Sequence, residues 1–599
     1  MTLVSSAGCP TEDGGSVGDD ELGTEEGGDE ADADTDDTEG SADTEGEAGL
    51  GPALALDYVP IKGFALSWQA EPEVEPEVEV DTYVVFERLW PGMPFFPVAE
   101  LAEDGSADYL VELEVPLHLR ASAGYYLRAC ADGACVDSDI VDVDADIREA
   151  AGYVKAVSPG ENDGFGARAV VSGDGQTLAV SAWSEDGSSQ GLGGDPNDDA
   201  ASQAGAVYVY RKGAQGWAFD AYIKASNAGA ADSFGRSLAV SEDGDACDRH
   251  AFRGQRGTTV GGDELDDSAA NAGAAYVFQR IQGEWQQRAY LKAADAHAGD
   301  EFGASVDISA DGERVVVGAP FAELEDASGT TSPEQEDAGA AYVFEREGLD
   351  WHELARLASL APEAHARFGS AVSVAGEGSF AAVGAPHNQA GGSVEVFAGM
   401  FGAWSTSSQL QLTAPEGGAR FGAALDLDVA GETLVVGAPL AGGQGFEGTG
   451  KAHVFVREDW SWLAHSVLEA NAGEGSSGDE FGASVALSAD GEFAAVGAPG
   501  DDSAFPSVLR GTGAGLGMGC VDSGAVHLFE HSILDDGWSQ RSYVKPGVPG
   551  VSDGFGRWVS LSASALELVV GAPQDDGSAS GMEGFSDDEL PGAGAVWMF

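Results

Sequence analysis

The sequence predicts an all-β protein: a seven-bladed β-propeller over residues 150–599, a small β-sandwich over 53–145, and a disordered acidic segment over 1–52. Three observations predict it. Phe-Gly pairs open seven repeat units, at Phe165, Phe234, Phe302, Phe368, Phe421, Phe481 and Phe555, spaced 53 to 74 residues apart. Gly-Ala-Pro begins sixteen residues after each of the last five of these phenylalanines, at Gly318, Gly384, Gly437, Gly497 and Gly571. Glycine is abundant, 87 of 599 residues, as befits short strands joined by turns. An inner unit of fixed length between loops of free length is the signature of a strand repeat.

The first segment opens on Ser6-Ala7-Gly8-Cys9, which resembles the end of a bacterial lipobox and makes Cys9 a candidate for lipidation. A complete signal peptide would require a start further upstream; otherwise Cys9 is an ordinary thiol. From Pro10 to Gly51 there is no Lys or Arg, only Asp, Glu and small residues almost throughout. Such a composition buries too little apolar surface to offset chain entropy. It is expected to be a solvated tether that holds the rest of the chain off a membrane.

The second segment carries strand patterns at Phe64–Trp68, Thr82–Arg88, Tyr109–Leu113 and Gly124–Cys130, with turn residues between them. The early Trp68 and the late Tyr-x-Leu-Arg-Ala strand, Tyr125 to Ala129, make it similar to a fibronectin type III domain, with the Glu-Pro-Glu-Val run at 71–80 as an inserted acidic loop. Domains of that kind serve as spacers or interaction modules. Cys130 and Cys135 are close enough in sequence to pair, which would fit an oxidising compartment; the alternative is two thiols. Cys520 stands in a Gly-rich loop with no evident partner.

Each unit of the third segment reads alike. An alternating strand follows Phe-Gly, then a turn such as Ala310-Asp311-Gly312, then a strand such as Arg314–Val317 closed by Gly-Ala-Pro. A long loop leads to Gly339–Phe344 and its equivalents, and a last strand carries Trp and ends Tyr-Leu-Lys-Ala, as in Trp285–Ala293. Four short strands per unit, seven times over, make a propeller. The aromatics at these positions are read as core. The pattern resembles the FG-GAP repeats of integrin α-chains and their bacterial relatives, which implies an extracellular fold used for adhesion or ligand binding. Tyr153-Val154-Lys155-Ala156 copies the last strand of a unit but precedes the first Phe-Gly, and Gly594–Phe599 copies the third. The strand near Tyr153 should therefore complete the last blade and leave no open edge.

Two units depart from the pattern. Unit one has Ser181-Ala182-Trp183 in place of Gly-Ala-Pro. Unit two runs from Ala246 to Gly257 through Cys247, His250 and three arginines. Read one base out of frame, its codons can encode a strand of the expected kind, so a compensated frameshift is the preferred explanation. A metal- or anion-binding patch at Cys247 and His250 is the alternative.

Charge excludes some functions. Lys+Arg number 28 against 103 Asp+Glu, a formal net charge of −75. That opposes nucleic acid and anionic membrane surfaces as partners. No run approaches the length of a membrane-spanning helix. The acid serves solubility or binds calcium, a hard cation that takes carboxylate oxygens. Integrin-type calcium loops lie between the Phe-Gly and Gly-Ala-Pro strands, where this chain has only short hairpin turns. Carboxylates cluster instead after Gly-Ala-Pro, which makes Asp195, Asp198, Asp199, Asp263, Asp266, Asp267, Asp501, Asp502, Asp575 and Asp576 the candidate Ca2+ ligands.

Catalytic motifs are lacking: there is no His-Glu-x-x-His, phosphate loop or nucleophile elbow. The expected function is therefore a cell-surface or secreted binding or adhesion protein, outside the cytoplasm, that recognises protein or glycan ligands through propeller loops, with calcium as its one cofactor candidate. The alternatives are a hydrolase with a site in the channel and a structural envelope protein. Buried converging acids in the channel would favour the hydrolase.

Overall fold

The computed structural model describes residues 52–69, 80–104, 106–131, 134–214, 216–244, 246–251, 260–262, 269–323, 335–400, 403–410, 418–442, 448–470, 478–504, 508–510, 519–532, 534, 536–582 and 589–599. Cys9 and the acidic segment lie outside them.

The smaller unit has two antiparallel sheets. One orders Ala55–Val59, Gly63–Gln69 and Asp108–Glu114; the other orders Phe96–Ala102, Thr82–Arg88, Gly124–Ala131 and Ala134–Asp137. Alternation does the sorting: Tyr83 and Val85 are buried while their neighbours are half-exposed, the period-two pattern of a strand with one face inward. Trp68 stacks on Tyr109 at 5.5 Å between them. Cys130 and Cys135 face each other across the final hairpin and are joined in a disulfide.

From residue 152 onward, seven four-stranded antiparallel sheets follow one another; we call them blades 1 to 7. Blade 3 shows the pattern: Ser305–Ile308, Arg314–Ala319, Ala340–Glu347 and Asp350–Leu357, innermost to outermost. Blade 6 gains a fifth, outer strand, Val508–Arg510. The innermost strands of successive blades touch all the way round, blade 7 back to blade 1. Blade 7 is composite: Trp558–Leu561, Leu568–Ala572 and Ala595–Met598 are completed by Gly152–Val154 from before blade 1. Tyr153 sits opposite Trp597 in that last pairing. The irregular stretch of blade 2 still contributes a backbone strand, Ala246–Ala251, paired on both sides. Residues 252–257 and the side chains of Cys247 and His250 lie outside the described set.

The invariant sixteen-residue offset has a physical cause. Gly318 of blade 3 lies against Gly369 of blade 4, and a Cβ on Gly318 would come within 2.1 Å of the Gly369 carbonyl oxygen. Gly369 itself has φ +92, and a Cβ there would meet the Ala340 carbonyl at 2.2 Å. The two signature glycines thus bring the backbones of neighbouring blades into close contact. Sliding either strand by a residue would put a side chain into a backbone.

The small unit is bonded to the ring where the ring closes. One apolar cluster runs from Leu66, Trp68 and Leu127 through Ile147 and Tyr153 to Trp597 and Phe599. The Lys62 ammonium pairs with Glu567 at 2.7 Å, both buried. The His118 imidazole lies between the carbonyls of Ala565, at 2.8 Å, and Phe599, at 3.1 Å. Burial pushes that imidazole down to about 3, so it stays neutral at ordinary pH.

Candidate functional site

The residue before each Phe-Gly phenylalanine takes a left-handed backbone, with φ between +52 and +65: Gly164, Ser233, Glu301, Arg367, Arg420, Glu480 and Gly554. The turn is sharp and sits where the chain enters the innermost strand. Four of the seven positions hold a charged side chain. Where they hold Gly or Ser, an arginine follows the Phe-Gly instead: Arg168 in blade 1, Arg236 in blade 2 and Arg557 in blade 7. Every blade thus contributes one charged residue close to its turn, five of them Arg and two Glu. In a chain with net charge −75, this concentration of cations is the reverse of the background.

Five of them, Arg168, Arg236, Arg420, Glu480 and Arg557, line one mouth of the central channel and the bore beneath it. A cavity of about 890 Å3 there is lined by Arg168, Arg236, Arg557, Trp183, Gln203 and Gln574, among others. It continues into a narrower bore of about 290 Å3 that reaches Arg420, Glu480 and Trp558. Trp183 is the residue that replaces the proline of Gly-Ala-Pro in unit one. The departure places an aromatic face in the mouth.

The Arg168 guanidinium lies 4.4 Å over the Trp558 ring and donates from one terminal nitrogen to the Ala167 carbonyl at 2.8 Å. Its buried Nε meets no acceptor among the described residues. Burial, with Arg557 and Arg236 adding like charge, pushes its ionisation down to about 10. Arg557 reaches Glu480 at only 3.4 Å, with the two side chains 57% and 39% exposed, a contact of small worth. Burial raises the Glu301 carboxyl against the pull of Arg236 and Arg367. Burial, then Arg367 and Arg420, lowers His387. Guanidinium forks around a funnel suit a planar carboxylate, held through two parallel hydrogen bonds.

Asp307 and Asp426 stand on the innermost strands of blades 3 and 5. Each accepts a backbone N–H from the next blade, Asp307 from Val374 at 2.7 Å and Asp426 from Leu487 at 2.8 Å. Ser373, between them, accepts from Leu427 at 3.1 Å and donates to Asp426 at 3.3 Å. Burial pushes Asp307 up to about 6. Burial, with Asp307 adding like charge, pushes Asp426 up to about 7. Both acids stitch blade to blade.

The candidate calcium ligands are not gathered in one place. Asp501 accepts from Tyr543 at 3.0 Å and Lys545 at 3.1 Å in blade 6; Asp575 accepts from Tyr153 at 2.6 Å and Lys155 at 3.2 Å in blade 7. Burial would raise Asp501, but Lys545 and Ser503 outweigh it and hold the carboxyl below its usual range. Glu185, not singled out from sequence, does the same in blade 1 with Tyr222 and Lys224, at 2.5 and 2.6 Å. Three blades therefore share one device: a buried acid that binds the Tyr and Lys of the Tyr-x-Lys strand. Asp502 accepts the Asp522 N–H and Asp576 the Gly592 N–H, at 3.0 and 2.7 Å. Asp195 caps Asn197, and Asp198 accepts from Ser188. Asp199 is exposed, and Asp263, Asp266 and Asp267 lie outside the described residues. Cys520 is buried and disulfide-bonded, which corrects the expectation that it stands alone.

Residues 285–344 and 467–529 match the FG-GAP repeat family. The chain carries FG-GAP repeats, and with its ring of four-stranded sheets it is an FG-GAP β-propeller. FG-GAP repeats are typically domains of the extracellular type. Among solved structures, the chain is similar to the WD40 repeats of RRP9 (8% identity, TM-score 0.41, 74% of this chain and 96% of that one). It is also similar to a putative 6-phosphogluconolactonase from Bacteroides uniformis (10%, 0.38, 78% and 98%) and to the periplasmic gluconolactonase PpgL of Pseudomonas aeruginosa (14%, 0.37, 78% and 97%). No curated protein matches the chain. Among the described residues, no helix is long and apolar enough to cross a membrane.

Proposed function

We propose that this is a cell-surface or secreted binding protein that captures an acidic glycan in the arginine-ringed mouth of its channel. The observation that carries the reading is the gathering of three guanidinium groups, Arg168, Arg236 and Arg557, around a cavity that also offers Trp183, Gln203 and Gln574. A sugar acid asks for these groups together: forks for its carboxylate, an aromatic face for its ring, and amides for its hydroxyls. A funnel receives a chain end better than a flat protein surface. The fibronectin type III-like unit is then a rigid spacer, and lipid on Cys9 the anchor.

The hydrolase alternative draws on Asp307 and Asp426, but their oxygens already hold the backbones of neighbouring blades. The test is a tryptophan-fluorescence titration with oligogalacturonate and, beside it, a neutral maltooligosaccharide. Oligogalacturonate should bind, weaken as salt rises, and lose at least about tenfold in affinity in Arg168→Ala or Arg557→Ala, since a charge-assisted hydrogen bond is worth about 1.5–3 kcal/mol. Equal binding of the neutral sugar, or indifference to both substitutions, would sink the reading. Binding of an acidic peptide but not of oligogalacturonate would transfer the site to a protein ligand.

A further inference from the structure

Away from the channel, His465 lies on the outermost strand of blade 5, Ser461–Leu468. His531 lies near the end of the third strand of blade 6, Ala525–Ser532, and Asp536 in the hairpin before Gly537–Val544. Both imidazole Nε2 atoms stand 3.3 Å from the same oxygen, Asp536 Oδ1. All three ligand atoms lie within 4.8 Å of one another.

We propose that His465, His531 and Asp536 form a divalent transition-metal site of the zinc class that staples blade 5 to blade 6. The spacing is the first argument. A tetrahedral centre with bonds of about 2.0–2.1 Å to nitrogen and oxygen holds its ligands about 3.3–3.4 Å apart. An ordinary N–H···O bond falls at about 2.7–3.2 Å, and here one oxygen faces two imidazoles at the longer distance.

Burial is the second argument. The His465 and His531 side chains are only 15% and 23% exposed, whereas Asp536 is 80% exposed. The rings are fixed in the seam between blades, and the carboxylate closes over them from solvent, leaving the outer side open to water. Orientation is the third. His465 Nδ1 contacts Ser466 Oγ at 2.9 Å; when that nitrogen donates, the Nε2 lone pair is left facing Asp536. The His531 ring rests against Trp538, centroids 5.3 Å apart. Outer contacts of this kind orient metal-binding histidines. Two imidazoles with one carboxylate select zinc-like ions over calcium, which takes an all-oxygen shell.

The test uses the full chain, stripped with chelator and titrated with Co2+, whose visible d–d absorption reports tetrahedral nitrogen ligation. One equivalent should give that spectrum, and Zn2+ should displace it. His465→Ala and His531→Ala should each abolish the spectrum, and Asp536→Ala should weaken binding by more than about a hundredfold, the upper range for loss of an outer-shell partner alone. Zn2+ should raise the wild-type melting temperature and leave that of the histidine variants unmoved. His465→Gln and His531→Gln serve should an alanine variant misfold in chelator. Co2+ uptake that lacks the tetrahedral spectrum, or that persists unchanged in the histidine variants, would assign the ion to the acidic surface and overturn the proposal.

Discussion

Asp575→Asn tests what holds the ring shut. Asp575 and Lys155 are 1% and 0% exposed and 3.2 Å apart, and Lys155 follows directly on the closing strand Gly152–Val154. At an effective dielectric of about 20 the pair attracts by about 5 kcal/mol. Asparagine keeps the shape and can still accept from Tyr153, so the substitution removes charge alone. It leaves the Lys155 ammonium buried without its counter-ion, a loss of about 3–5 kcal/mol. That is a large part of an ordinary domain's stability of about 5–15 kcal/mol.

Urea denaturation measures the total, and hydrogen exchange at Gly152–Val154 and Ala595–Met598 locates it. Protection should fall first in those two strands. The double variant Lys155→Met with Asp575→Leu should recover stability to within about 1 kcal/mol, since a buried pair replaced by apolar residues is often neutral. Running both variants with calcium and with chelator separates two meanings of Asp575. A counter-ion to lysine gives the same loss in either, whereas a calcium ligand gives a loss only when calcium is present. A cost below about 1 kcal/mol with unchanged exchange would refute the reasoning.

Three further outcomes are expected. Asp307 and Asp426 have carboxyls raised to about 6 and about 7 in the folded state, so the fold binds protons that the unfolded chain releases near pH 4. Their contribution is full below about pH 4 and is lost as pH rises through 6 and 7; Asp426→Asn should flatten the difference in unfolding free energy between pH 5 and pH 8, by about 1 kcal/mol, read by urea denaturation, and an unchanged slope would contradict this. Gly369→Ala places a Cβ 2.2 Å from the Ala340 carbonyl at φ +92, so it should cost about 3 kcal/mol or more, read by urea denaturation, whereas the same change at Gly92, which shares the positive φ at +93 but whose Cβ meets nothing within 4 Å, should cost only the backbone strain of about 1–2 kcal/mol. Arg168→Ala, which loses the contact over Trp558, should leave the melting temperature within a few degrees of wild type, since it also relieves repulsion from Arg557 and Arg236; a collapse of the fold would make Arg168 a structural residue.

The ring was legible because its two signature glycines touch across blade boundaries, so their spacing cannot drift while the outer loops do. The closing strand was legible because it copies its equivalents residue for residue. The channel mouth was not, because its arginines stand at differing offsets from Phe-Gly: before it in Arg420, after it in Arg168, Arg236 and Arg557. Only the ring brings them to one rim. The signal present in the sequence was scarcity, since so few basic residues recur beside one motif. Asp575 and Asp501 stood in the sequence as clustered acid, the pattern of a cation loop. Their cations were in view too, as Lys155 and Lys545, but at a distance along the chain that only the folded blades remove. Trp183 looked like drift, because a proline's absence says nothing of what its replacement faces.

The composite blade also orders events in time. Gly152–Val154 is the first strand of the propeller to leave the ribosome and the last to find its partner, since Ala595–Met598 is synthesised at the other end of the ring. Until then two strand edges stand open, and open edges recruit other chains. A nascent or truncated chain is thus marked as unfinished by its own exposed edges, whereas the completed ring hides both. The seam formed by residues from the two ends is in effect a check that the whole propeller has been made.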